Sequence, residues 1–216
     1  MKIWENILDF IWPKFCLSCH QEGSFCCQNC QQNIQLLPLD YEAWTDNKDF
    51  VFDKCYVCLD FQEALTKKLI KTFKYSYIQS LSEILASILW QQVQRINLPA
   101  NTVITNIPLH LKKKKQRGFD QTEILAKKLS EKTRLPYLAL LTRIKFNKTQ
   151  AQLDKASRLV NVQDIFKINP KTQADTQATV LLIDDIATTG ATLNEAAKIL
   201  KSAGYQHIIA LVLAKN

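Results

Sequence analysis

The stretch that decides the fold reads Val180-Leu181-Leu182-Ile183-Asp184-Asp185-Ile186-Ala187-Thr188-Thr189-Gly190-Ala191-Thr192. Its first four residues form an apolar run typical of a strand buried on both faces of a parallel sheet, and two aspartates follow at the carboxyl end of that run. Beyond a short loop, the spacing of Leu193, Ala196, Ala197 and Leu200 predicts a helix that ends at Gly204. Residues 207–213 are apolar again and predict a second strand. This succession predicts an α/β parallel sheet with its ligand site at the loop after the first strand.

The residues of this loop suit a phosphorylated sugar. Backbone N–H groups and hydroxyls at a helix start bind phosphate, and the loop offers them from Ala187, Thr188, Thr189, Gly190, Ala191 and Thr192. Asp184 and Asp185 would repel a phosphate, but they suit a ribose diol and a Mg²⁺ shell. The stretch resembles the signature with which type I phosphoribosyltransferases bind phosphoribosyl pyrophosphate (PRPP). The alternative is a buried strand whose acidic loop has no ligand.

Length and composition set the number of domains that we expect. The chain has 216 residues, of which 47% are hydrophobic and only four are glycine. These values favour one folded α/β domain, at residues 41–216, with a small N-terminal module at residues 1–40. We expect no membrane span, because no apolar run has the necessary length, and no signal peptide, because no small-residue cleavage site follows the apolar N-terminus. We therefore expect a cytoplasmic protein.

The net charge of +8 is concentrated in two clusters. One cluster is Lys67, Lys71 and Lys74, which would share one face of a helix; the other is Lys112, Lys113, Lys114, Lys115 and Arg117. Basic side chains near aromatic ones, here Phe73 and Tyr75, suit single-stranded DNA, whose bases stack while its phosphates pair with cations. The alternative is a solvated basic face beside aromatic residues that belong to the core.

The seven cysteines favour a metal site over disulfides in a cytoplasmic chain. The motifs Cys16-x-x-Cys19 and Cys27-x-x-Cys30 can supply four thiolates to one structural Zn²⁺. Cys26 could replace Cys27, and His20 is a spare ligand. Two further cysteines would point to opposite faces of a strand, so we interpret them as packing residues rather than a second metal site or a redox pair: Cys55 and Cys58.

Several motifs together resemble the ComF/ComFC-type competence proteins, which are zinc-module phosphoribosyltransferase homologues linked to DNA uptake. The first is the four-cysteine module, and the second is Arg117-Gly118-Phe119-Asp120-Gln121 after Pro108-Leu109-His110. The third combines the PRPP signature with Gln150, Leu153, Arg158, Asn161 and Phe166. One departure is Asp120, where that family usually has Asn. Both residue types cap helices, so a capping role survives, but Asp would weaken a contact with an anion.

The resemblance implies a role for each part of the site. Asp184 and Asp185 would hold the ribose diol, and residues 188–192 would bind the 5-phosphate. The turn formed by Pro108, Leu109 and His110 would bind pyrophosphate. Residues 146–164 would form a flexible loop that closes over PRPP and brings Arg158 to the pyrophosphate, so the catalytic candidates are Asp184, Asp185 and Arg158.

Three hypotheses about function follow. The leading one is a DNA-uptake factor that binds PRPP, or a related phosphoribosyl ligand, together with single-stranded DNA. The second is an active phosphoribosyltransferase that uses PRPP and Mg²⁺ on an unidentified base or amine. The third is an adaptor whose zinc module docks a helicase or another protein of DNA uptake.

Overall fold

A four-stranded parallel sheet forms the centre of the protein in the computed structural model, which describes residues 13–41, 44, 50–76, 78–145, 164–172 and 174–216. Its strands are β1 (Lys54–Asp60), β2 (Val103–Asn106), β5 (Thr179–Ala187) and β6 (His207–Lys215). They lie in the order β1-β6-β5-β2. The predicted pair of parallel strands around the helix after Gly190 is confirmed as β5 and β6, with Val180 opposite Ile208.

The central strand β5 is buried on both faces, and each face packs against helices. Leu181 and Ile183 point into one core, which contains the buried faces of α2 (Ala64–Tyr75), α3 (Gln79–Gln94) and α5 (Gln121–Thr133). Val180 and Leu182 point into the other core, beneath α6 (Ala191–Ser202). The prediction of a type I phosphoribosyltransferase-like sheet with helices on both faces is confirmed. It agrees with the apolar run of residues 180–183, whose side chains alternate between the two faces of the sheet.

Strand β5 continues further than its sequence suggests. We expected Asp184 and Asp185 after the strand, but β5 runs through both of them to Ala187 because β6 continues to pair with it. Asp184 lies opposite Val212, and Ile186 lies opposite Ala214. The two carboxylates are therefore held on sheet backbone and are almost fully buried, with 9% and 4% of Asp184 and Asp185 exposed.

Smaller elements surround the carboxyl ends of the strands. The lysine run folds as the short helix α4 (Leu111–Arg117), which begins when His110 Nδ1 accepts a bond from Lys112 N and ends at Gly118 with φ of 80°. Strands β3 (Leu141–Arg143) and β4 (Phe166–Ile168) pair antiparallel in a separate two-stranded sheet. Among the described residues, no helix is long and apolar enough to cross a membrane.

The N-terminal module packs directly on the main domain. It contains α1 (Gln28–Gln32), and the buried side chain of Cys26 belongs to the same core cluster as α2 and α3. The segment after α1 is tied to β1, since Leu37 N donates to Cys58 O. Lys68 Nζ on α2 also donates to Leu17 O. The division of the chain at residue 40 remains a prediction.

Candidate functional site

Two adjoining cavities lie at the carboxyl ends of β5 and β2. The first, of about 410 Å³, is lined by the loop after β5 and by side chains of α2, and the second, of about 290 Å³, lies beside the turn after β2. Both cavities share Lys74, Tyr75, Asp184, Ile186 and Thr192. The first contains the predicted loop residues Ala187, Thr188, Thr189, Gly190, Ala191 and Thr192. The second contains Asp185, Pro108 and Leu109 in addition to Asp184.

The loop after β5 is held in shape by aromatic side chains from the segment before β1. Gly190 has φ of 75°, a left-handed conformation that favours glycine, and a Cβ atom there would lie 2.7 Å from Phe50 Cζ. Trp44 Nε1 donates to Thr188 O at 2.9 Å, and the Trp44 and Phe50 rings meet edge to face at 5.7 Å. The residues at the start of α6 line the first cavity beside this loop, and a helix start of this kind suits a phosphate.

The two aspartates have different environments. Asp185 is already partnered, because Lys74 Nζ lies 3.2 Å from its Oδ1 and Gln121 Nε2 donates to its Oδ2 at 3.0 Å. Asp184 lines both cavities and accepts a bond from Asp185 N. Burial and the neighbouring charge of Asp185 raise the pKa of Asp184, and Lys74 and Arg143 oppose that rise only in part. A nearby cation or hydroxyl donors would stabilise the ionised form of this buried carboxyl. A Mg²⁺ shell supplies the cation, and a ribose diol supplies the hydroxyl donors.

The second cavity is strongly cationic. Lys74, Lys113, Arg117 and Arg143 all line it, beside Asp184 and Asp185. Burial lowers the pKa of Lys113, and repulsion from Arg143, Arg117 and Lys74 lowers it further. Arg143 Nε is buried and has no hydrogen-bond partner among the described residues. These cations repel one another, so an anion that entered this cavity would relieve the repulsion.

Asp120 joins the turn after β2 to helix α5. Its Oδ1 accepts bonds from Thr122 N and Glu123 N, which confirms the predicted N-cap, and its Oδ2 accepts from Leu109 N at 2.8 Å. Glu123 forms ion pairs with Lys114 and Lys127. Asp120 thus uses both carboxylate oxygens to hold the Pro108–His110 turn against α5, and both are occupied by protein donors.

The basic residues predicted to bind DNA divide into two groups. Lys71, Lys74, Lys113 and Arg117 line the cavities, so the two clusters meet at one site. The second group lines neither cavity and consists of Lys67, Lys112, Lys114 and Lys115. Within it, the Lys67 ammonium lies over the Phe61 ring, 5.5 Å from its centroid. His110 caps α4 and also lies outside both linings, while Arg158, Gln150, Leu153 and Asn161 lie outside the described residues.

The four cysteines of the N-terminal motifs converge. The Sγ atoms of Cys16, Cys19, Cys27 and Cys30 lie within 4.8 Å of one another, and the cluster contains neither Cys26 nor His20. Cys19 and Cys27 Sγ are 3.6 Å apart, close to the edge of a tetrahedron of zinc-bound thiolates. Burial opposes ionisation of Cys16, but bonds from backbone N–H groups, including that of Cys27, lower its pKa to about 6. These four residues could hold a metal ion.

The remaining cysteines pack in the interior. Burial raises the pKa of Cys26 to about 11, and its side chain belongs to the core beneath α2 and α3. Cys58 is buried in that same core, whereas Cys55 packs on the core of the opposite face of the sheet. The prediction that Cys55 and Cys58 point to opposite faces is therefore confirmed.

Sequence reasoning gave no site role to Arg143 or Gln121. Arg143 carries charge into the second cavity beside Lys113, which was predicted only to bind DNA, and Gln121 links Arg117 to Asp185. Arg143 ends a short strand outside the main sheet, so no local pattern indicated its position. The position of Gln121 could have been suspected, because it is the first residue of a helix that opens next to the turn after β2.

The chain is similar in sequence to one domain family and to two competence proteins. Residues 115–216 match the family model described as phosphoribosyl transferase domain. The chain is 27% identical to competence protein F of Haemophilus influenzae over 93% of this chain and 84% of that protein. It is 26% identical to competence protein ComFC of Bacillus subtilis over 88% and 79% of the two chains. It also aligns with the structure of adenine phosphoribosyltransferase of Trypanosoma brucei at 9% identity and a TM-score of 0.42, over 74% of this chain and 83% of that chain.

The similarity rests on the matched domain and on the two curated relatives, which the chain covers over most of their length. The matched residues 115–216 include β5, its carboxylate pair and the loop that follows it. The chain is therefore similar to ComF/ComFC-type competence proteins over most of its length, and its residues 115–216 match a phosphoribosyltransferase domain.

Proposed function

We propose that this protein is a competence factor that acts in DNA uptake, binds PRPP or a related phosphoribosyl ligand, and binds single-stranded DNA. The observation that carries the proposal is the pair of adjoining cavities, in which a phosphate-binding loop, a carboxylate pair and a cationic pocket lie next to one another. The names of the two curated relatives, both competence proteins, support the biological role.

Each part of the phosphoribosyl ligand would occupy the cavity whose residues complement its charge. The N–H groups and hydroxyls of residues 188–192 suit the 5-phosphate in the first cavity. Asp184 lines both cavities and suits the ribose hydroxyls between them. Lys113, Arg117 and Arg143 suit the pyrophosphate in the second cavity. Bound Mg²⁺ would supply positive charge next to the carboxylates, where Asp184 and Asp185 would help to hold it.

One observation also favours an active phosphoribosyltransferase. The second cavity places several cations where pyrophosphate would depart, and charge that develops on a leaving group is stabilised by preorganised cations. Arg158 remains the proposed additional contact from residues 146–164. An enzyme of this kind would release pyrophosphate from PRPP only in the presence of its base or amine acceptor, and Asp184→Asn/Asp185→Asn would abolish that release.

The cysteine cluster fits a structural zinc ion. Four thiolates satisfy its usual coordination and leave no position for water, so Cys16, Cys19, Cys27 and Cys30 would bind it without catalytic chemistry. The same module could dock a helicase or another DNA-uptake protein, as the third hypothesis requires. A pull-down of such a partner that survived deletion of residues 1–32 would count against docking.

Titration calorimetry with PRPP and Mg²⁺ tests the ligand site. We expect the wild-type protein to bind and Asp184→Asn/Asp185→Asn to bind at least about 100-fold more weakly, because the variant lacks both charged acceptors for the ribose hydroxyls and Mg²⁺. Asp175→Asn, in an exposed turn, is the matched control and should bind as the wild type does. Equal binding by the wild type and the double variant would refute the site.

Binding of a labelled oligodeoxythymidine at several salt concentrations tests the DNA surface. Lys67→Glu/Lys71→Glu should weaken binding and lower the slope of log K against log salt by about 0.7 for each phosphate that is no longer neutralised by a lysine. Lys198→Glu, on the exposed side of α6, serves as the control, because each Lys→Glu substitution changes the charge by the same amount. An unchanged slope in the double variant would remove these lysines from the DNA surface.

A further inference from the structure

Tyr75, the last residue of α2, is exposed to an unusual degree. Its exposed fraction of 78% exceeds that of every other large hydrophobic side chain among the described residues. A single exposed aromatic residue is common, but this one lines both cavities of the candidate site. The guanidinium of Arg117 lies over its ring at 5.7 Å. The ring is thus held at the mouth of the site with much of its surface in solvent.

Cations surround this ring. Lys71 lines the first cavity, Lys74 lines both, and Lys113 and Arg117 line the second. These residues come from the two basic clusters, one on α2 and one on α4. A ring with an open face between cations is the arrangement by which proteins bind single strands, since a base stacks on the ring while flanking phosphates pair with the cations.

We propose that a single strand of DNA crosses the mouth of the two cavities, stacks a base on Tyr75, and excludes the phosphoribosyl ligand from the site. This inference rests on the proposed function, because it assigns one shared site to the two ligands named there. DNA binding and PRPP binding are then alternative states of the protein, and the concentration of one ligand sets the occupancy by the other.

The two ligands would exclude each other because they would use the same cations. Lys74 contacts both cavities and forms the ion pair with Asp185, so the same ammonium group serves whichever anion is present. Both ligands are polyanions that would lie side by side, within the Debye length of about 8 Å at physiological ionic strength, so their charges would repel. A strand across Tyr75 would also cover the opening through which a phosphoribosyl ligand enters.

The test is a competition measured by fluorescence anisotropy of a labelled 20-residue oligodeoxythymidine, at constant free Mg²⁺ and ionic strength. Saturating PRPP should raise the apparent Kd of the strand at least tenfold, whereas sodium sulfate of equal ionic strength should not. If both ligands bind singly and PRPP leaves the strand affinity unchanged, the inference is wrong and the proposed function stands. If either ligand fails to bind alone, the proposed function fails, and the inference fails with it.

Tyr75→Ala separates stacking from charge. It should weaken binding of the strand by about 5- to 160-fold, the range for removal of one base–aromatic stack. Tyr75→Phe should restore strand binding, since its ring also stacks. Tyr41→Ala, another exposed tyrosine that lines neither cavity, is the matched control. Strand affinity unchanged in Tyr75→Ala would overturn the assignment.

Discussion

The cysteine module and the site at the end of β5 both gather groups that repel one another when charged, but they differ in what surrounds those groups. The four sulfurs of the cysteine module lie within 4.8 Å of one another. Near the end of β5, Asp185 contacts Lys74 and Gln121, whereas Asp184 lines both cavities. The first arrangement suits one permanent ion, as we propose for zinc, whereas the second suits ligands that exchange.

The largest effect should come from the closed site. Cys27→Ser should abolish stoichiometric zinc binding and weaken affinity more than about 1,000-fold, because structural zinc sites derive their stability from all four thiolates. Cys26→Ser is the matched control, because the Cys26 thiol is adjacent in sequence but lies in the hydrophobic core and outside the cysteine cluster. Metal content by mass spectrometry of the native protein measures both. Retention of zinc by Cys27→Ser but not by Cys26→Ser would reverse the ligand assignment.

A smaller effect is expected at the open site from Gly190→Ala. A Cβ atom there would meet Phe50 Cζ at 2.7 Å in a left-handed backbone conformation, so the phosphate loop must shift. Affinity for PRPP should fall by about 10- to 100-fold, equivalent to about 1.4 to 2.8 kcal/mol.

Two further variants identify the cause of that effect. Gly204→Ala has comparable backbone strain, with φ of 99°, but its nearest neighbour is a methyl group of Thr176 away from the loop, and it should bind PRPP normally. Phe50→Leu should partly restore binding in Gly190→Ala by making room for the methyl group. If Gly190→Ala binds PRPP like the wild type, contact with Phe50 does not shape the loop.

The smallest effect is on stability and concerns Asp184. Its pKa is raised by burial and by Asp185, so this group destabilises the folded protein increasingly as the pH rises above its ordinary pKa, and the cost is complete above the raised pKa. Asp184→Asn removes that charge and keeps an oxygen that can accept from Asp185 N. At neutral pH we expect a gain of about 1 kcal/mol, or roughly 2–4 °C in Tm.

The gain in Tm should be complete above the raised pKa, shrink as the pH falls below it, and vanish below the ordinary Asp pKa of about 3.9, where Asp184 is neutral in both the folded and the unfolded wild-type protein. Thermal unfolding of both proteins across the pH range, without ligand, measures this. A variant that is less stable at neutral pH would show that the charge of Asp184 is compensated within the protein.

The central elements of the fold could be predicted because their sequence patterns are regular. Residues 180–183 and 207–213 form buried parallel strands, and the helix between them has its apolar face at the predicted positions. The continuation of β5 through Asp184 and Asp185 could not be predicted, since carboxylates are unfavourable inside a strand and only pairing with β6 holds them there. Helix α4 was missed because a run of lysines has no apolar periodicity.

The loop residues of the candidate site could be predicted from the sequence, whereas the positions of its basic side chains could be predicted only in part. The sequence of residues 184–192 indicates phosphate and ribose chemistry directly, and these residues line the two adjoining cavities. That Lys74 and Lys113 would reach the same cavity depends on how α2 and α4 pack at the end of the sheet. Arg143 is brought there by a two-stranded sheet whose partner strand lies more than twenty residues further along the chain. Such tertiary contacts have no local signature.

The most direct test of the difference between the two sites is calorimetric titration with PRPP and Mg²⁺ before and after zinc is removed with a zinc-selective chelator. If the cysteine site is structural and the β5 site binds the ligand, the metal-free protein should lose thermal stability but keep its PRPP affinity within about threefold of the untreated protein. A fall in PRPP affinity of tenfold or more in protein that remains folded would contradict the account, since the two sites would then act as one.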